Sequence, residues 1–280
     1  MNTHEQANVS VIIPCYCCSE TVERALHSVV QQTMAPAEII LVDDASDDDG
    51  VTLSCLQQLC HTFGKVYEIP IRLIALQENT GPSGARNAAW DTATADFIAF
   101  LDADDAWHPR KIEIQYSWMA AHPKVSLSGH HCCQVDVLLL SSQVVPRWSV
   151  KPCDFRSMLF KNPLMTRTVM MRRDMPLRFT ASKHYSEDYL LWLQALASGL
   201  QAFVLEVVLA YSFKPAYGAS GLGGNLWRME RGVLDNFRRL YRERAINGFI
   251  YFLASIFSFL KYLRRIIIVV FRRIVSFEHS

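Results

Sequence analysis

The chain has 280 residues, half hydrophobic and a fifth charged, which is enough for one large α/β core plus an appendage. The net charge of +1 conceals an asymmetry: residues 1–227 carry 17 Lys and Arg against 23 Asp and Glu, whereas residues 228–280 carry 11 against 4, so a phosphate-rich surface is expected as a partner of the basic end. Eight cysteines in local clusters lack the spacing of a secreted disulfide framework. Residues 1–8 are polar and the apolar run at 9–14 is too short for a signal-peptide core, so the body is expected in the cytoplasm with its thiols reduced. His130-His131-Cys132-Cys133 invites a zinc site, but adjacent ligands in a strand point to opposite faces and no second pair stands at zinc spacing.

Residues 9–13 form a β-branched apolar run before Pro14 and read as a buried strand ending in a loop. Ser19 can cap a helix over 20–32, with Val22, Leu26, Val29 and Val30 on one face. A second strand at 38–42 ends at Asp43-Asp44. A helix over 51–63 and a third strand at 71–76 follow. Gly81-Pro82-Ser83-Gly84 reads as a loop leading into a helix over 85–92, and 97–101 as a fourth strand ending at Asp102. Strands alternating with helices predict an α/β fold with a mostly parallel central sheet flanked by helices. Ligands bind at the carboxyl ends of such strands, where three polar clusters fall: Asp43-Asp44, 79–87 and 102–105. Residues 125–140 look extended, 189–198 helical, 202–211 like a strand, and 249–277 apolar with embedded arginines.

Asp102 and Asp104 on a post-strand turn can hold Mg²⁺ or Mn²⁺ through hard oxygen ligands and so neutralise a diphosphate leaving group. A lone Asp-x-Asp is usually a solvated turn, but here an apolar strand runs straight into it and Trp107 and Pro109 close it. Asp44 can accept from a base N–H or a ribose hydroxyl. Arg86 follows a turn at the start of a helix, where phosphate binds well. Glu187-Asp188 begins a helix, a common place for acids on dipole grounds alone, and is also a candidate general base.

In order, Val11-Ile12-Ile13-Pro14-Cys15-Tyr16, Val42-Asp43-Asp44-Ala45-Ser46, Asn79-x-Gly81-x-Ser83-x-Ala85-Arg86-Asn87, Phe100-Leu101-Asp102-Ala103-Asp104-Asp105-x-Trp107 and Glu187-Asp188-Tyr189-x-x-Trp192 resemble the family 2 glycosyltransferases of the GT-A fold, bacterial polysaccharide-biosynthesis type, over residues 9–215. The resemblance implies an inverting enzyme using a nucleotide-diphosphate sugar, with a UDP-sugar first in line, a glycan or polyprenyl-linked acceptor, and a divalent cation. Pro14, Tyr16 and Asp44 would line the nucleoside pocket, with Asp44 on the base. Arg86 would help to bind the nucleotide. Asp102 would lie nearest the ribose and Asp104 nearest the metal, and Asp188 would be the catalytic base. Cys17 stands where the family usually has Asn, and Ala45 where Gly is frequent.

Residues 1–215 are thus expected to form the transferase domain, 216–248 a linker and basic helix, and 249–280 an amphipathic membrane-associating helix. The first apolar stretch of that last segment, 249–260, is too short to span a bilayer. On a helical wheel Lys261, Arg264, Arg265 and Arg272 share one side, and Leu263, Ile266, Ile267, Val270 and Ile274 the other. That is the pattern of an interfacial helix drawn to anionic lipid, which would place the enzyme peripherally on the inner face of the cell membrane. The alternative is a helix packed on the domain or on a second subunit. No nucleic-acid recognition motif accompanies the basic end. A nucleotidyltransferase would want a Gly-rich basic loop after strand one, where Pro14-Cys15-Tyr16-Cys17-Cys18 stands instead. A non-catalytic nucleotide-sugar binding or assembly protein is the other reading.

Overall fold

The computed structural model describes residues 6–135, 145, 147–214 and 224–277, with side chains to residue 271. In chain order the elements are β1 (Ala7–Cys15), α1 (Val22–Val30), β2 (Pro36–Asp43), α2 (Val51–Tyr67), β3 (Ile71–Ala75), α3 (Gly81–Thr92), β4 (Phe97–Phe100), β5 (Asp105–Trp107), α4 (Lys111–Ala121) and β6 (Val125–Gln134). Then come β7 (Val150–Pro152), α5 (Phe155–Met158), a 3-10 turn (Thr166–Thr168), β8 (Met170–Arg172), α6 (Glu187–Ala197), β9 (Gln201–Ser212), α7 (Leu226–Arg242) and α8 (Gly248–Phe277). The extended stretch expected at 125–140 ends as β6 at Gln134, and residues 136–140 lie outside the described residues.

One sheet runs in the order β3-β2-β1-β4-β8-β6-β9-β5, with β7 also on β9. Its first half, β3-β2-β1-β4, is wholly parallel. Its second half is mixed, because β8 runs antiparallel to β4 and β6, while β6 and β9 pair in parallel. The central strand β1 is apolar at successive positions because it is covered on both faces. Val9, Val11, Ile13 and Cys15 enter a core with residues of α1, α2 and α4, whereas Ile12 faces the opposite core with Ile40, Phe100 and Trp90 of α3. Pairing of Cys15 with Asp43, and of Asp43 with Ala75, brings these strand ends level. Leu101 donates its N–H to the Ile12 carbonyl and adds the end of β4 to the same edge.

Local differences from the sequence reading cluster at helix starts. α1 begins at Val22, and its N-cap Thr21 makes no side-chain cap bond, so Ser19 does not cap it. Gly81 opens α3 instead of belonging to a loop before it, which puts Arg86 in the second turn, away from the helix terminus. Gly81 has φ +73°, and a Cβ there would collide with the His184 ring, so this position needs glycine. Cys17 (φ 45°) and Ala45 (φ 51°) both occupy the left-handed region, which Asn and Gly adopt most readily. The two departures from the family pattern therefore store backbone strain beside the cleft.

α7 and α8 form a hairpin packed against α6. Tyr241 stacks on Tyr251 and Trp227 leans on Tyr262, while Phe257 meets Phe160 edge-on. The basic stripe expected to face lipid is largely turned inward. Lys261 Nζ donates to the Phe160 carbonyl at 3.0 Å, and Arg265 stands 3.9 Å from the fully buried Glu230. Of that stripe Arg264 is exposed, and the side chain of Arg272 falls outside the described residues, as does that of Ile274 on the apolar side. What α8 turns outward is apolar: Phe249, Phe252, Ile256, Leu260, Leu263 and Ile267 are all exposed. No helix among the described residues is long and apolar enough to cross a membrane.

Candidate active site

An open cleft of about 1110 Å³ runs along the carboxyl edge of the parallel strands. Pro14 and Tyr16 line it from the loop after β1, Asp44 from the end of β2, Arg86 from α3, and Asp102 and Asp104 from the turn between β4 and β5. Six of the seven residues singled out from sequence thus share one cavity. Asp188 does not line it and sits one residue beyond Glu187, which does.

Each position has a local cause. Asp44 is buried, and its Oδ1 accepts from both the N–H and the hydroxyl of Thr80 at 2.8 Å. Burial nevertheless pushes its carboxyl above the usual range. Tyr16 is half exposed, with its ring free to lie against a planar ligand. The loop beneath it is fixed by Ser46, whose hydroxyl accepts from the Cys17 N–H and donates to Asp43 Oδ1 at 2.6 Å.

Arg86 occupies the centre. It is buried, donating from Nη2 to Asp102 Oδ1 at 2.9 Å and from Nη1 to Glu187 Oε1 at 2.8 Å. Charge-assisted bonds of this kind fix geometry as well as adding energy. Arg86 therefore clamps the end of β4 to the start of α6 while it also lines the cleft. Against the cost of burial, Arg86 and Arg167 hold the Asp102 carboxyl below its ordinary range. Glu187 behaves oppositely: burial, with Asp188 beside it, pushes its carboxyl up to about 7 despite Arg86.

Asp188 is partly exposed. Its Oδ2 accepts from Thr166 Oγ1 at 2.7 Å and its Oδ1 from the Tyr189 N–H at 2.7 Å. Of the two acids opening α6, Glu187 is locked in an ion pair, whereas Asp188 makes none among the described residues and is held by two neutral donors.

Three cations that sequence reasoning missed stand around the Asp102–Asp105 turn. Arg167 pairs with the buried Asp105 at 2.6 Å, and burial pushes that carboxyl up to about 7. Lys214 Nζ lies 2.9 Å from Asp104 Oδ2, and Arg24 Nη2 donates to the Asp104 carbonyl at 2.7 Å. Trp107 positions the first of these by donating its indole N–H to the Arg167 carbonyl. No local pattern marks Arg167 or Lys214, since both come from segments that meet the turn only through the sheet. Among the described residues no group of three or more His, Cys, Asp or Glu side chains is arranged to hold a metal. The cysteines are all free.

The model of the family described as Glycosyl transferase family 2 matches residues 10–172. The chain belongs to this family. It is a nucleotide-sugar glycosyltransferase, and its fold is GT-A. A sequence relative, UDP-Glc:alpha-D-GlcNAc-diphosphoundecaprenol beta-1,3-glucosyltransferase WfgD of Escherichia coli, is 31% identical over 192 residues, covering 67% of this chain and 69% of that one. Among solved structures, the mannosyltransferase PcManGT from Pyrobaculum calidifontis, in complex with GDP-Man and Mn²⁺, superposes with a TM-score of 0.64 at 17% identity over 90% of this glycosyltransferase and 73% of its own chain. Staphylococcus aureus TarS 1-349 in complex with UDP-GlcNAc gives 0.62 at 19% identity, over 83% of this chain and 66% of that one.

Proposed function

We propose that this glycosyltransferase moves a sugar from a UDP-sugar to a polyprenyl-diphosphate-linked or glycan acceptor in bacterial polysaccharide synthesis, inverting the anomeric centre in one displacement. The observation that carries the reading is the Arg86 clamp, which holds the donor-side carboxylate Asp102 and the helix bearing Asp188 in one rigid unit. The WfgD relative, whose name specifies UDP-Glc and a diphosphoundecaprenol-linked acceptor, supports the donor and acceptor classes.

In this reading Pro14, Tyr16 and Asp44 hold the nucleoside and Asp102 the ribose. Arg167 and Lys214 face the diphosphate. Asp188 accepts the proton of the attacking acceptor hydroxyl at a carboxylate oxygen. The residues fit a divalent cation of the kind shared with substrate phosphates: Asp104 is a third exposed on the turn beside the cleft, and the remaining ligands would be phosphate oxygens and water. Bound Mg²⁺ or Mn²⁺ would stabilise the charge that develops on the leaving nucleoside diphosphate. We place the enzyme peripherally on the inner face of the cell membrane, held by the outward apolar face of α8.

A donor screen tests this. Purified full-length protein is incubated with Mn²⁺ or Mg²⁺ and UDP-, GDP- or dTDP-sugars, and nucleotide release is followed with and without a polyprenyl-diphosphate-linked sugar. Acceptor-stimulated release of UDP is expected. Selective release of GDP or dTDP removes the donor assignment, and release that no lipid-linked acceptor stimulates removes the acceptor class.

A further inference from the structure

The outer face of α7 carries a ridge of arginines that the catalytic reading does not use. Arg228, Arg231, Arg238 and Arg242 are all exposed and fall within a quarter-turn of one another at 100° per residue. None of the four side chains forms an ion pair among the described residues. The nearby acids are engaged elsewhere: Asp235 with Lys183 and Arg239, and Glu243 with Gln194. The opposite face of α7 buries Phe237 and Leu240 in the core and holds Glu230 toward α8.

Between this ridge and the apolar face of α8 lies an aromatic seam. Trp227, half exposed, leans on Tyr262, which in turn meets Phe259. At the other end Tyr241, also half exposed, stacks on Tyr251. Across the hairpin the order is apolar residues, then Trp and Tyr, then arginine. The same order of chemistry is met on leaving a bilayer: acyl chains, the interface where Trp and Tyr concentrate, then phosphates.

We infer that the α7–α8 hairpin docks on an anionic phospholipid bilayer, with the α8 face in the acyl boundary and the α7 arginine ridge on the lipid phosphates. The inference rests on the membrane-peripheral reading and adds which lipid is selected and by which helix. On α8 Lys261 and Arg265 point into the protein, which leaves Arg264 as the exposed cation of that stripe among the described residues, against four on α7. The hairpin is also tied to the base: Asn236 of α7 donates to the Ser186 carbonyl at 2.8 Å, and Lys183 bonds the Gly232 carbonyl at 3.2 Å. Docking this face therefore sets the height of Asp188 above the lipid surface from which a lipid-linked acceptor rises.

The test is co-sedimentation of full-length protein with vesicles of phosphatidylcholine alone or mixed with phosphatidylglycerol, at low and high salt. Each basic side chain near an anionic surface is worth roughly fivefold in partitioning at low salt. The quadruple variant R228Q/R231Q/R238Q/R242Q should therefore lose about two orders of magnitude or more on the anionic vesicles and keep weak, salt-insensitive binding to both. Ile256→Asp with Ile267→Asp should lose binding to both. If wild type binds and the quadruple variant partitions equally well on anionic vesicles, the ridge is not the selector while the membrane reading survives. If wild type sediments with neither vesicle, both readings fall. Light scattering that shows a dimer abolished by Ile256→Asp would then assign the face to a second copy of the chain.

Discussion

Asp188→Asn separates catalysis from structure at a single atom. Asparagine keeps the oxygen that accepts from the Tyr189 N–H, and its new amide nitrogen can donate to the Thr166 hydroxyl, which turns to accept. Both hydrogen bonds survive. With each worth about 1 kcal/mol net, the melting temperature should move by no more than about 2–4 °C. Asp188 does not line the donor cleft, so donor affinity by calorimetry should stay within a few-fold. What is lost is basicity, and the transfer rate should fall roughly 10²–10⁴-fold, about 3–5 kcal/mol of barrier. Glu187→Gln is the control: it weakens the ion pair that steadies Arg86 against Asp102, so its deficit should appear mainly in donor KM. The assay is UDP release with saturating acceptor, run beside donor binding and thermal melts. A rate within a few-fold of wild type in Asp188→Asn, with donor bound normally, refutes the assignment and leaves the base to be sought elsewhere in the cleft.

Asp104→Ala should leave the fold intact, because the side chain is a third exposed at the rim of the cleft and loses only its pair with Lys214, and should abolish the enhancement of donor binding by Mn²⁺ seen in calorimetry. Wild-type transfer that persists unchanged in EDTA counts against the metal role. Ala45→Gly and Cys17→Asn should each stabilise by about 1 kcal/mol by relieving left-handed backbone, seen as a higher urea midpoint. Lys111 is fully buried, its Nζ without a hydrogen-bond partner among the described residues and lying over the Trp107 ring at 3.7 Å. Burial holds its pKa well below the ordinary lysine value. The unfolded chain therefore binds a proton below about pH 10.5 that the folded chain resists, so stability is lost as pH falls toward the folded value. Lys111→Met should remove that loss and raise the neutral-pH melting temperature by several degrees, with little gain above pH 10.5. An equal gain across the pH range would point to packing instead of charge.

The parallel half of the fold was legible because its signals are local. Apolar runs of four or five residues, each ended by an acid or a Pro, mark β1, β2 and β4, and ligand sites collect at their carboxyl ends. Asp44, Arg86, Asp102 and Asp104 could be assigned to one edge for the same reason, whereas Pro14 and Tyr16 were assigned only through the family resemblance. The mixed half was harder to read. β5, β7 and β8 have three residues each, too few to show a period, and they form only because neighbours already in place complete their hydrogen bonds.

By itself the sequence determined where the parallel strands run and the order of the motifs, because an apolar strand shows in a short window, whereas the starts of α1 and α3 depended on tertiary neighbours. Tertiary structure decided the partners. Sequence places Arg86 near the start of a helix, and only the tertiary structure shows it buried between Asp102 and Glu187 as a clamp on the cleft wall. Arg167 and Lys214 reach the Asp102–Asp105 turn from segments about 60 and 110 residues further on, a proximity that loop closure permits but no local pattern encodes. The helical wheel of α8 sets its basic residues opposite its apolar ones, but only the tertiary structure shows Lys261 and Arg265 turned inward with Leu263 and Ile267 exposed. Glu230 on α7 and the Phe160 carbonyl draw Arg265 and Lys261 inward, since buried acceptors left without donors are costly.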